Sequence, residues 1–164
     1  MIAKFALLPF VLALPLAAQQ TPPSEMLDAK TIRATSDDLL KQAKVAKDGI
    51  AFKVLLTRPD GNEQIAVRVK SGQGEWHRDF EDVLIGLEGE GQIITGGKVV
   101  NGKETAPGEI RGDGVSGGKM QPFRAGDVIR IEAQVPHQVL LAPGATIKYF
   151  AVKVKVKVKV KVAN

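Results

Sequence analysis

The sequence predicts an all-β domain: one antiparallel sandwich or barrel, preceded by a short helix and continued by an extended C-terminal strand. Three observations carry that expectation. From Ile50 onward, apolar and polar residues alternate with period two in short stretches. Turn residues separate these stretches, with 17 glycines and 9 prolines among 164 residues. No segment of helical period and useful length interrupts the series after residue 50.

The chain opens MIAKFALLPFVLALPLAAQQ, with one basic residue, Lys4, ahead of an apolar run from Phe5 to Ala18. Residues 1–18 have the pattern of a secretory signal peptide cleaved after Ala18, although Leu16 stands where alanine is more usual. The run is too short for a membrane-spanning helix, and Pro9 and Pro15 interrupt it; an uncleaved anchor is the competing reading. The expected location is periplasmic or secreted. Residues 19–35, polar and proline-bearing, read as a linker.

A short helix is expected over residues 36–48. Ser36 suits the N-cap, Asp37 and Asp38 the first turn, and Lys44 and Lys47 the last. Leu39, Leu40 and Ala43 form its apolar stripe, and Asp48-Gly49 stops it. The barrel is expected over residues 49–152. IAFKVLLT and QIAVRVK make a hairpin around Asp60-Gly61. DVLIGLEG, GQIIT, DVIRIEA, HQVLLA and IKYFAVKV read as further strands. Residues 96–119 are too glycine-rich for continuous strand and form a long excursion, a kind of segment that is often functional.

Residues 153–164 complete a Val/Lys repeat, VKVKVKVKVKVAN. Strict alternation puts valines on one face and lysines on the other, and residues 152–162 would reach about 35 Å as one strand. Three roles compete for it: packing on a second protomer, weak contact with an anionic surface, or a tolerated low-complexity extension. The last is favoured, because nothing in its composition encodes selectivity. The repeat also accounts for the net charge of +5, since without its five lysines the remaining 18 basic residues match the 18 acidic ones. With aromatics at 5% and no basic cluster elsewhere, nucleic acid is not an expected partner.

The absence of cysteine excludes disulfides, thiolate chemistry and cysteine-based zinc sites. No G-x-S-x-G elbow or phosphate-cradling glycine loop is present. The carboxylates at 75–82 are too close along one strand to face each other across a glycosidase cleft. What remains are two histidines, His77 in GEWHRDFEDVLIGLEGEG and His137 in GDVIRIEAQVPHQVL, each beside strand ends. In a small barrel these can converge on the interior. Two imidazoles and one carboxylate suffice for iron, manganese or zinc. On an unbroken strand Glu75, His77, Asp79 and Glu81 share a face while Asp82 points away. A bulge would bring Asp82 inward instead, so Glu81 and Asp82 are alternatives. The competing readings are a solvated acidic loop around residues 75–82 and a structural His137. Trp76 is expected in the core or a pocket wall, and Asp127 as a turn residue opening a strand.

These residues resemble the cupin superfamily, in particular small exported bacterial single-domain members of the cupin 2 conserved-barrel type. Its first motif, G-x5-H-x-H-x3,4-E-x6-G, matches Glu75-Trp76-His77 and Glu81 if Glu75 replaces the first histidine. In the second, G-x5-P-x-G-x2-H-x3-N, Gly126 to His137 keeps the full spacing, with Glu132, Gln134 and Leu141 as departures. The resemblance covers roughly residues 50–150 and implies a jelly-roll barrel. It also implies a divalent metal held by His77, His137 and Glu81 or Asp82, with Glu75 as a further candidate. No organic cofactor is implied, and a homodimer is expected by analogy.

The expected function is binding of a small molecule inside the barrel, through such a metal. If the barrel is catalytic, the metal would act as a Lewis acid or bind dioxygen. The alternatives are a metal-free ligand-binding or sensor module, and a structural or surface-interaction protein acting through the tail.

Overall fold

The computed structural model describes residues 26–156. The expected signal peptide, the start of the expected linker and residues 157–164 of the repeat lie outside the described residues. No helix among the described residues is long and apolar enough to cross a membrane.

Helix α1 (Ala29–Val45) starts seven residues before the expected position. Asp28, not Ser36, caps it, its Oδ1 accepting from Thr31 N at 2.7 Å. Ile32 extends the stripe of Leu39 and Ala43 by two turns, so the helix has apolar reason to begin early. Ser36 is buried within the helix, its hydroxyl donating to Arg33 O at 2.9 Å.

The strands are β1 (Ile50–Arg58), β2 (Gly61–Arg68), β3 (Gly74–His77), β4 (Phe80–Thr95), β5 (Lys98–Val100), β6 (Lys103–Ala106), β7 (Glu109–Gly112), β8 (Gly114–Ser116), β9 (Lys119–Arg124), β10 (Val128–Ile131), β11 (His137–Leu140) and β12 (Ile147–Lys155). All the pairings are antiparallel. The expected strands DVLIGLEG and GQIIT are one long strand, β4, which joins the two halves of the sheet. Its first half pairs with β12 and β10, its second with β11 and β9. Gly86 lies in the first half, opposite Tyr149, where an added Cβ would meet Arg124 O at 2.0 Å; the close chain approach requires glycine.

The curled sheet encloses a core drawn from both halves. Leu84 and Tyr149 come from one half, and Ile93, Phe123 and Val139 from the other. This is the antiparallel barrel that the period-two pattern predicts. A second cluster lies outside it, where Leu39 and Ala43 of α1 cover Ile65 and Val67 of β2. The alternation is explicit: Ile65 and Val67 face the helix, whereas Ala66 and Arg68 face the barrel. In β12, Ile147, Tyr149 and Ala151 point inward. Lys148 points outward and is buried beneath the helix, donating to Asp37 at 2.6 Å and Glu88 at 2.8 Å. The glycine-rich excursion is ordered as two short ladders, β6 with β7 and β5 with β8, and β7 continues the main sheet by pairing with β3.

Candidate metal centre

Glu75 and His77 alternate with Trp76 along β3, so the first two enter the barrel together and Trp76 faces away. Trp76 does not line the cavity; its indole N–H donates to Gln134 O at 3.0 Å on the other face. The pocket-wall expectation for Trp76 is therefore corrected. His137 opens β11 directly opposite Glu75, which brings the two sequence-distant histidines side by side. Their ring centroids are 5.2 Å apart, and both are almost fully buried.

Of the alternatives Glu81 and Asp82, Asp82 enters the site. The expected face of Glu75, His77, Asp79 and Glu81 is broken by a bend at Arg78-Asp79, where the chain passes from β3 to β4. That bend resets the alternation, so Asp82 and Leu84 point inward. Glu81 points out and pairs with Arg130 at 2.6 Å. Asp127 sits in the expected turn, its Oδ2 accepting from Arg124 N at 2.8 Å.

Glu75, His77 and His137 bring ligand atoms within 4.8 Å of one another, a group that could hold a metal ion. Asp82 Oδ2 adds a fourth donor, 3.1 Å from His77 Nε2 and 3.3 Å from His137 Nε2. Glu75 Oε2 lies 3.7 and 3.9 Å from the same nitrogens.

The other ring nitrogens decide the chemistry. His137 Nδ1 lies 3.0 Å from Val135 O, an acceptor only, so Nδ1 carries the proton and donates. His77 Nδ1 lies 2.6 Å from Glu109 Oε2 and donates in the same way. Each neutral ring then directs its Nε2 lone pair at the oxygen of Asp82. Two lone pairs facing one carboxylate oxygen are repulsive unless a cation lies among them. That cation is either a proton on each ring or one metal ion. Ligand atoms at right angles on an ion with bonds of 2.0–2.1 Å lie about 3 Å apart, close to the Asp82 separations. The residues present therefore fit a divalent metal, and Glu109 and Val135 O supply the outer hydrogen bonds that orient such imidazoles.

Burial opposes the charge on Asp82, but the hydrogen bonds from His137 and His77 and the charge of Lys153 outweigh it and hold the carboxyl well below its usual range. Burial likewise disfavours a charged His137, yet the bond to Asp82 and the nearby charge of Glu75 raise its pKa above the ordinary value. Tyr149 is pushed up by burial, and its hydroxyl accepts from Arg68 Nε at 3.1 Å.

Four charged residues of the site have no place in the sequence expectation: Arg68, Glu109, Arg111 and Lys153. Arg68 and Arg111 clamp Glu75 at 3.3 and 3.0 Å. The Arg111 contact is out of line for a hydrogen bond, and its buried Nη1 makes none. Glu109 and Arg111 come from the glycine-rich excursion, paired opposite His77 and Glu75. Gly108, at φ +78°, turns the β6–β7 hairpin that delivers them. Lys153 is the first lysine of the Val/Lys repeat and lies within the closing strand IKYFAVKV itself. Extending the inward set Tyr149, Ala151 by one more step would have found it. A cavity of about 390 Å³ opens beside the cluster, lined among others by Arg68, Asn62, Tyr149 and Lys153.

No family model matches the chain, and no curated protein matches it. Its fold is similar to that of a conserved protein of unknown function from Streptococcus pyogenes (TM-score 0.50, 16% identity, covering 84% of this chain and 93% of that one). A predicted oxalate decarboxylase from Thermotoga maritima follows at a TM-score of 0.49 and 17% identity, covering 65% of this chain and 81% of that one. A Cupin 2 conserved barrel domain protein from Salinispora arenicola gives a TM-score of 0.46 at 17% identity, covering 66% of this chain and 78% of that one. Identities this low speak to fold and not to activity. By fold, the chain is a curled antiparallel β-barrel.

Proposed function

We propose that this barrel binds a small molecule beside a divalent metal ion held by His77, His137, Asp82 and Glu75. The observation that carries the reading is the pair of Nε2 atoms within 3.3 Å of one oxygen of Asp82, with each Nδ1 placed beside another acceptor. When bound, such an ion supplies Lewis acidity toward a ligand oxygen. Glu109 and Val135 O hold the imidazoles in the metal-ready tautomer. Arg68 and Arg111 fix Glu75, and the adjoining cavity admits the ligand. The N-terminal apolar run supports an exported location, so the site would work in the periplasm or outside the cell.

A second reading is favoured by a specific observation. Arg68, Arg111 and Lys153 balance Glu75, Glu109 and Asp82 in charge, so the cluster can exist without a metal as a polar ligand pocket. Calorimetric titration of chelator-treated protein with Zn(II), Mn(II) and Fe(II) separates the two. The metal reading expects one ion per chain in the wild type and no binding in His137→Ala. A wild type that takes up none of the three ions leaves only the metal-free pocket.

A further inference from the structure

Lys153 is set apart from the rest of the Val/Lys repeat by where its side chain goes. It lies on β12 between Asn62 of β2 and Asp82 of β4, on the inward face shared with Tyr149 and Ala151. Lys155, two residues on, is exposed. The Lys153 side chain is 19% exposed, and its Nζ lies over the Phe80 ring, 5.6 Å from the centroid.

The ammonium is 3.0 Å from Nδ1 and 3.1 Å from Nε2 of His77. An atom equally close to both nitrogens of one ring cannot lie along either lone pair; it rests against the ring itself. It is also 3.6 Å from Glu109 Oε2 and 3.9 Å from Asp82 Oδ1. One fixed positive charge thus touches a metal-ligand candidate, the group that orients it, and the carboxylate that both imidazoles face. An ion 2.0–2.1 Å from His77 Nε2 and an ammonium 3.1 Å from the same nitrogen are at most about 5 Å apart. That separation is shorter than the screening length of physiological salt, so the repulsion is only partly screened.

We propose that Lys153 is a built-in competitor of the metal. Its ammonium partly neutralises Asp82 and Glu109 in the metal-free barrel and must yield before a divalent ion is tightly held. Lys153 thereby weakens metal affinity and makes the site exchangeable, a role no other lysine of the repeat shares among the described residues. This inference rests on the metal reading given above, and its test distinguishes the failure of one from the failure of the other.

The test is calorimetric titration of the full chain with Zn(II) and Mn(II), comparing wild type with Lys153→Met, Lys153→Arg and Lys155→Met. Thermal melts confirm that each variant is folded. Lys153→Met is expected to bind at least tenfold more tightly than wild type, with Lys153→Arg and Lys155→Met within about twofold of it. Equal or weaker binding by a folded Lys153→Met overturns the proposal while leaving the metal centre in place. Tightening of the same size in Lys153→Arg overturns it as well, because charge would then not be the cause. Absence of binding in every protein, wild type included, overturns both. If Lys153→Met does not fold, Lys153→Gln replaces it under the same criteria.

Discussion

His77 and His137 face one another with ring centroids 5.2 Å apart, and the carboxylate oxygen of Asp82 is within 3.3 Å of both Nε2 atoms. The sheet makes this meeting: β3 and β11 are adjacent strands, and β4 crosses beside them after a bend. The site is therefore as rigid as the strand pairings that carry it, which is what a metal site needs from its scaffold.

Asp82 and Glu81 are adjacent in sequence and opposite in consequence. Asp82→Asn should destabilise the protein by about 2–3 kcal/mol, the range for losing charged hydrogen bonds in a buried setting. Glu81→Gln removes a pair whose arginine is largely exposed and should cost below about 1 kcal/mol. Denaturant unfolding of the two variants checks the contrast, and equal costs would place the wrong carboxylate in the barrel.

The pH dependence of the metal-free protein follows from His137 and Asp82. The pKa of His137 is raised above 6.5, so its contribution is complete below pH 6.5 and is lost as the pH rises through the folded value. The pKa of Asp82 is lowered below 3.8, so its contribution is complete above that pH and is lost only in stronger acid. Melting of chelator-treated protein should show stability highest between these limits and falling on the alkaline side. His137→Gln should flatten the alkaline fall, and added Zn(II) should offset it by replacing the departing proton.

Glu109 acts on the metal through His77. Glu109→Gln keeps the shape but weakens the acceptor for the Nδ1 proton, and metal affinity should drop roughly 10- to 100-fold. Titration with Zn(II) measures this directly. Affinity unchanged from wild type would mean that the 2.6 Å contact does not orient the ring.

At the other end of the molecule, Asp28→Ala should cost about 1 kcal/mol as the loss of a helix cap. Ser36→Ala, at the position the sequence favours for the cap, should cost clearly less, because its hydroxyl only bonds back to Arg33 O. Thermal unfolding of both variants locates the start of α1.

Much of this molecule can be read before folding, and the exceptions have physical causes. The strands declare themselves by alternation, and His77 and His137 by being the only two imidazoles beside strand ends. Glu81 falls on the wrong side because alternation holds only within one strand, and the bend at Arg78-Asp79 ends it; Trp76, before the bend, faces away because it alternates with Glu75 and His77 on β3. Glu109 and Arg111 are hidden in a glycine-rich stretch whose pairing with β3 is a long-range event that local composition does not encode. Helix α1 begins early because a cap and one more apolar residue, Asp28 and Ile32, lie inside a segment that reads as linker. Lys153 is concealed by its own repeat: five similar lysines suggest one shared role, while the first of them lies beside the cavity and Lys155, two residues on, is already exposed.

The central claim is that His77 and His137 share one ion. Elemental analysis of the purified, dialysed protein tests it most directly, alongside His77→Ala and His137→Ala variants shown to be folded. One equivalent of a divalent metal per wild-type chain, lost in both variants, is the predicted result. A folded wild type without stoichiometric metal, even after exposure to Zn(II), Mn(II) and Fe(II), would contradict it.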